Sequence, residues 1–411
     1  MRTDTFGASL RLLRTRRFGT FCVASLLSNI GTWAQQVAQP WLLLGLGASS
    51  FLIGLDSFAM GAPVWLLTLV GGVLADRADR RRVIGTFQSI QMLCPILLVA
   101  LLLAGAVKPW MVIALSLVVG ITDALSMPSF QTIVPSIVER DQLASGIALN
   151  STQFNLSRIL GPALAGVLMS TIGAIGCFAV SAASYVPFIL VALWVLPRGE
   201  GALVNDGLFD RRHPFAGVLE VVREPDLRGA LLTVLATSSL CGPLITFCPV
   251  LVRDAFNGDV SHFSIAIGAF GVGGLLGAFG LLFVDAHRDR RPLSSWFAAG
   301  YGAILVATAL NPSIWGVPAL LVLAGTAMTV SNTSANSFLQ AAASARIRGQ
   351  TISLYMLVMR GGVSIGSLLT GVSVHLLGIR HALLINGVLA VAAQLSIGRK
   401  WLASRPASKA S

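Results

Sequence analysis

Gly71-Gly72-Val73-Leu74-Ala75-Asp76-Arg77-Ala78-Asp79-Arg80-Arg81-Arg82 is a charged turn set between two long apolar segments. About twenty apolar residues run into it and about twenty run out, each enough to cross a bilayer. The arginines of the turn cannot rest in hydrocarbon. The bias of Lys and Arg toward cytoplasmic loops therefore puts this turn in the cytoplasm.

Working outward, twelve spans are expected at 18–46, 51–74, 83–105, 109–131, 144–170, 174–196, 228–252, 261–284, 292–310, 314–338, 349–373 and 379–398. Helix is the only spanning structure that satisfies the backbone of such segments in lipid. The fold class expected is an all-α integral membrane protein. Composition agrees: 55% of the 411 residues are hydrophobic and only 11% are charged, where soluble domains carry roughly 25% charged residues. The net charge of +12 is spread through short loops. Loop topology accounts for it better than a nucleic-acid surface does.

With both termini inside, all but five of the 29 Lys and Arg fall on the cytoplasmic side. Lys108, Arg253 and Arg380 fall outside, and Arg158 and Arg360 lie within spans. That asymmetry sets the orientation. The expected organisation is a cytoplasmic tail at 1–17, a six-helix half at 18–196, a cytoplasmic linker at 197–227, a second six-helix half at 228–398 and a cytoplasmic tail at 399–411. An internal repeat supports two halves. Gly161-Pro162-Ala163-Leu164-Ala165-Gly166 aligns with Gly366-Ser367-Leu368-Leu369-Thr370-Gly371, and Asp79-Arg80-Arg81 with Asp289-Arg290-Arg291. Duplicated transporters keep their site between such halves near the midplane. The five cysteines lie mostly in apolar segments and read as small apolar residues, with no metal or disulfide spacing. The apolar segment Phe18–Leu46 is too long for a cleaved signal peptide.

Several stretches together resemble the major facilitator superfamily. Within it they resemble the exporter branch that includes the enterobactin exporter and the macrolide efflux proteins. The stretches are Ser28-Asn29-Ile30-Gly31-Thr32-Trp33, the Gly71–Arg82 turn, Val134-Pro135-Ser136-Ile137-Val138, Ile147-Ala148-Leu149-Asn150-Ser151, Ser157-Arg158-Ile159-Leu160-Gly161-Pro162, Ser331-Asn332-Thr333 and Arg348-Gly349-Gln350. The resemblance implies twelve helices in two pseudo-symmetric halves, transport by alternating access, and a monomer in a bacterial-type inner membrane.

The turn resembles the family's G-x-x-x-D-R-x-x-R-R signature. That resemblance makes Gly72, Asp76, Arg77, Arg80 and Arg81 a candidate conformational latch, with Asp79 where the family often has glycine. Asp76 is an acid where basic residues alone would set topology. The bland alternative is a plain topogenic turn. Gly161, Pro162 and Gly166 resemble the family's antiporter motif, with Ala165 in place of a glycine; in the family this motif marks exporters. Proline bends a helix and small residues allow close packing. The alternative is an ordinary kinked helix. The arginine that many proton-driven exporters carry in the fourth helix is missing; Asp123 stands in that segment.

Intramembrane ionisable groups are functional candidates by default. Asp123, in the fourth span, and Asp56, in the second, are the candidate proton carriers. Asp123 is also placed to pair with Arg158 on the next span, either as a switch or as a fixed neutral pair. Arg158 and Arg360 are candidates for gripping an anionic solute, because arginine stays charged and presents a planar fork. Asn29, Trp33, Gln36 and Pro40 recur on one face of the first span, with Gln35 and Gln39 as a second stripe. Asn332 and Asn336 form a weaker polar face in the tenth. These amides and the indole suit a polar, aromatic-containing substrate, or serve as interhelical glue.

Nothing points to nucleotide hydrolysis, a metal, a cofactor or a nucleophile constellation, so no enzyme is expected. Gly271-Val272-Gly273-Gly274-Leu275-Leu276-Gly277 mimics a dinucleotide fingerprint but lies inside a span. The expected function is proton-exchanging export of a siderophore-like or other polar acidic metabolite. The partners are that solute, protons and membrane lipid, without nucleic acid. The alternatives are a macrolide or multidrug:proton antiporter, an importer, or a ligand-sensing membrane receptor.

Overall fold

The computed structural model describes residues 12–77, 79–131, 133–139, 142–195, 216–285, 289–344 and 347–403. Twelve helical passes follow one another among them. The first six are α1 (Arg16–Gly45), α2 (Ser50–Arg77), α3 (Arg80–Leu103), α4 (Pro109–Gln131), α5 (Leu143–Thr171) and α6 (Ala174–Trp194). The seventh, α7, opens as Pro225–Ala236 and continues in short pieces to Ala255. The rest are α8 (Val260–Leu282), α9 (Arg291–Leu310), α10 (Gly316–Ala342), α11 (Arg348–Leu377) and α12 (Ile379–Ala403). The all-α expectation holds, and each expected span coincides with a pass to within a few residues.

Ten of the described helices are long and apolar enough to cross a membrane. The other two long passes, α1 and α5, hold dense amides and hydroxyls: Asn29, Gln35, Gln36 and Gln39 in one, Asn150 through Gln153, Ser157 and Arg158 in the other. These two polar helices pack on each other. Each thereby gives polar groups partners that lipid would not offer.

Contacts divide the chain into two compact units, Met1–Ala48 with Ala59–Val204, and Ser49–Phe58 with Asn205–Ser411. In the first, α1 packs on α5 and α6, and α3 on α4 and α6. An aromatic cluster of Phe18, Phe21, Phe130 and Phe188 anchors one end, with Phe130 and Phe188 stacked at 5.4 Å. In the second, α8 and α9 pack on α10, and α9 on α12.

The repeat read from sequence is a structural one. Asp79 accepts the Arg81 backbone N–H at 3.0 Å, and Asp289 accepts that of Arg291 at 2.9 Å. Each aspartate thus satisfies a free amide at the start of its helix. Gly161 of α5 lies so close to α1 that a Cβ would collide with Trp33, and Gly366 of α11 so close to α7 that a Cβ would collide with the Ser239 backbone. The same glycine in each half lets two helices meet almost backbone to backbone.

Two features differ from expectation. The seventh pass is not one α-helix: Thr237–Cys241 and Leu251–Ala255 are π-helical, flanking short turns at Pro243–Thr246 and Cys248–Val250, each with a proline in its first turn. Proline removes an amide donor and the ladder widens to compensate. The loosened carbonyl of Cys241 accepts the Tyr301 hydroxyl at 3.2 Å, and Gln394 donates to the Thr233 carbonyl at 3.0 Å. The last helix runs five residues past the expected boundary, to Ala403, because Trp401 is buried against α7, where Gly229 makes room for it.

Candidate functional site

In the first unit the polar faces of α1 and α5 meet in one patch. The guanidinium carbon of Arg158 lies 5.8 Å from the centre of the Trp33 ring. Phe154 meets the same indole edge-on at 6.4 Å. Next to them Gln153 donates to Ser25 Oγ at 3.1 Å and to Asn150 Oδ1 at 3.2 Å. Asn29 donates to the same Ser25 oxygen at 3.3 Å. The side-chain oxygen of buried Gln153 has no hydrogen-bond partner among the described residues. A cation, two aromatic rings and several amides therefore share one helix–helix seam. Such a set offers charge, stacking and hydrogen bonds to a single ligand.

Asn29, Trp33, Arg158, Gly161 and Pro162 belong to this seam. Gly161 and Pro162 are buried there, as is Gly166 one turn further on. Gln153 and Phe154 were missed in the sequence. Their spacing from Asn150, Ser157 and Arg158 was the available signal, since α5 repeats polar or aromatic residues every three or four positions.

Gln36, expected on the Trp33 stripe, lines a different place. A cavity of about 20 Å³ inside the first unit is walled by Thr32, Gln36, Gln39, Cys94, Ser116 and Tyr185, among others. The Thr32 and Tyr185 hydroxyl oxygens lie 3.2 Å apart, and Gln39 donates to Ser116 Oγ at 2.6 Å. Gln35 accepts the Ser181 hydroxyl at 2.7 Å. The stripe of α1 thus splits, because a helix this densely polar presents more than one face to its neighbours. Half-buried Asp123 is one turn along α4 from the cavity residue Val119. Asp56 is buried in α2.

In the second unit, Asn332 and Asn336 are buried in α10. The Asn332 carbonyl is 3.5 Å from the Tyr355 hydroxyl, and its side-chain oxygen has no hydrogen-bond partner among the described residues. Asn336 accepts from Gln340 at 3.1 Å. Arg360 is half-buried in α11. A stronger ionic centre, unremarked in the sequence beyond the repeat, surrounds Arg291. Its guanidinium bridges Asp226 at 3.2 Å and Asp289 at 2.9 Å. It also donates to the Trp401 carbonyl at 3.4 Å. Partial burial pushes the Asp289 carboxyl up, but the Arg291 hydrogen bonds and charge outweigh it and hold the group below its ordinary value.

Of the expected latch, Gly72, Asp76, Arg77 and Arg80 lie outside the residues whose side chains are described. Arg81 is half-buried behind the Asp79 cap. No group of three or more His, Cys, Asp or Glu able to hold a metal occurs among the described residues.

Residues 8–409 match the transmembrane secretion effector family. The staphyloferrin A transporter of Staphylococcus aureus is 24% identical over 90% of this chain and 92% of its own length. The multidrug efflux pump Tap of Mycolicibacterium fortuitum is 26% identical over 85% of this chain and 87% of its own. Among solved structures, the nucleoside transporter NupG superposes with a TM-score of 0.72 at 12% identity, covering 95% of this chain and all of that one. That last likeness concerns the fold.

Proposed function

The chain belongs to the transmembrane secretion effector family of the major facilitator superfamily, and on that premise we propose that it exports a polar, acidic, aromatic-bearing metabolite of the siderophore type in exchange for protons. It is a multi-pass membrane transporter. In this reading it resides in a bacterial-type inner membrane, with both termini cytoplasmic, and works by alternating access.

The observation that carries the reading is Arg158 set over Trp33, with Phe154 and the Gln153–Ser25–Asn29 amide cluster at its side. A guanidinium grips carboxylate or catecholate with two parallel donors, and the indole stacks on an aromatic ring. A fixed cation in the seam disfavours a lipophilic cation as substrate. Arg360, Asn332 and Asn336 supply further polar contacts in this reading, while Gln36 faces the separate cavity of the first unit. Similarity to a staphyloferrin transporter points the same way.

Asp123 carries the proton, with Asp56 as the second candidate. A proton on Asp123 and an anion at Arg158 attract, so direct contact would favour moving them together. Exchange requires each to be taken up in a different state of the protein. Gly72, Asp76, Arg77, Arg80 and Arg81 form the latch that separates those states, and Gly161, Pro162 and Gly166 the bend that marks an exporter.

The test is efflux from proteoliposomes under an imposed pH gradient. A catecholate siderophore, a hydroxamate siderophore, a macrolide and a cationic dye are offered side by side. Siderophore movement that collapses with a protonophore, is lost in Asp123→Asn and loses affinity in Arg158→Ala and Arg360→Ala is the expected result. Movement of dye or macrolide alone would replace this reading with multidrug efflux.

A further inference from the structure

The cavity between α1, α3, α4 and α6 sets polar groups among apolar ones, and neither Trp33 nor Arg158 lines it. At about 20 Å³ it has the size that holds one water molecule, which needs roughly 10–15 Å³. A buried water also needs two to four polar partners. Thr32, Gln36, Gln39, Ser116 and Tyr185 supply hydroxyls and amides on its wall. Four of these wall groups are hydrogen-bonded in pairs, Thr32 to Tyr185 at 3.2 Å and Gln39 to Ser116 at 2.6 Å, which fixes their positions around the space.

The α4 wall of the cavity is the face bearing Val112, Ser116 and Val119. Asp123 is the next residue on that face, four positions past Val119 and one turn, about 5.4 Å, along the axis. Tyr185 of α6 and Cys94 of α3 line the same cavity as that α4 face. Hydroxyls and water both donate and accept, so they pass protons in a way that amide or apolar walls do not.

We propose that the first unit contains its own proton route, in which a water held by Thr32, Gln39 and Ser116, together with the Tyr185 hydroxyl, connects Asp123 to the half of the bundle that holds the C-terminal end of α1. A proton reaching the water passes to the Tyr185 oxygen as the phenol releases its own toward the Asp123 carboxylate. The phenol ends neutral and the carboxylate ends protonated. Tyr185 is therefore a relay residue and Thr32 a positioning residue. The inference rests on the proton-exchange reading above. It adds a separate entry for the proton, away from Arg158, which removes the need for proton and anion to share one opening.

The experiment needs no transported solute. The full chain in lipid is given a rapid acid step, and the carboxylic-acid C=O band of Asp123 is followed by time-resolved infrared spectroscopy, assigned by its loss in Asp123→Asn. Tyr185→Phe is expected to leave the final band amplitude unchanged and slow its appearance at least about tenfold. Thr32→Val, of similar size to threonine, is expected to slow it as well, which guards against misfolding of the tyrosine variant. Both variants protonating at the wild-type rate would overturn the relay and leave Asp123 standing as carrier. Absence of any Asp123 band in the wild type after the acid step would overturn both the relay and proton carriage by Asp123.

Discussion

Arg158 and Trp33, from helices more than a hundred residues apart in sequence, hold the guanidinium carbon 5.8 Å from the indole centre. The ring gives the cation a fixed seat, worth about 0.5–2 kcal/mol in general. Arg158→Lys keeps the charge and loses the fork. Siderophore affinity, read by quenching of Trp fluorescence, should fall about tenfold or more in this variant, while Trp33→Phe should cost less. Equal affinity in wild type and Arg158→Lys would remove the bidentate role.

Gly161 is the point where α5 touches α1. A valine there drives carbon into Trp33 and toward the Ile30 carbonyl, which would be 3.2 Å from the new Cβ. Overpacking of this kind costs about 1–3 kcal/mol. Thermal unfolding in detergent should show Gly161→Val markedly destabilised. Gly268→Ala, whose added methyl meets nothing within 4 Å, should stay near wild type.

The Arg291 centre makes the second unit sensitive to acid. Asp289 titrates below its ordinary value in the folded chain because of Arg291. Its contribution is therefore complete above the ordinary carboxylate value and is lost as pH falls through the depressed one. Unfolding midpoints should drop on acidification below about pH 4. Arg291→Met should lower stability at about pH 7 by about 2–3 kcal/mol, the scale of charged hydrogen bonds, and flatten that acid limb.

Tyr301 donates to the Cys241 carbonyl at the end of the first π-helical stretch of α7. Tyr301→Phe keeps the ring and leaves a buried carbonyl with one donor fewer. A loss of about 1 kcal/mol is expected, with faster amide exchange localised to 237–246. Unchanged exchange there would show that the widened turn needs no support from α9.

Much of the fold was legible in the chain because lipid imposes few options. Segments of about twenty apolar residues must be helices, and Asp79 and Asp289 recur at equivalent helix starts in both halves. The tight packing at Gly161 was legible too, since small residues mark close packing. Helical spacing groups Gln36 with Trp33 because it gives only an angle around one axis. Which neighbour fills that angle depends on where α3, α4 and α6 come to rest. The π-helical stretches of α7 and the burial of Trp401 escape the sequence for the same reason. Pro243, Pro249 and Gly229 are visible locally, but their consequences depend on Tyr301, Gln394 and the packing of α12.

By itself the sequence determined an all-α membrane protein, its twelve passes and its two-fold repeat, because hydropathy and the cost of unpaired backbone in lipid act along the chain. Only the tertiary structure decided that Arg158 sits on Trp33, that Gln153 and Phe154 join them, and that Asp123 neighbours a polar cavity under Tyr185. Those relationships join residues from different helices, and only close packing of side chains fixes which faces meet.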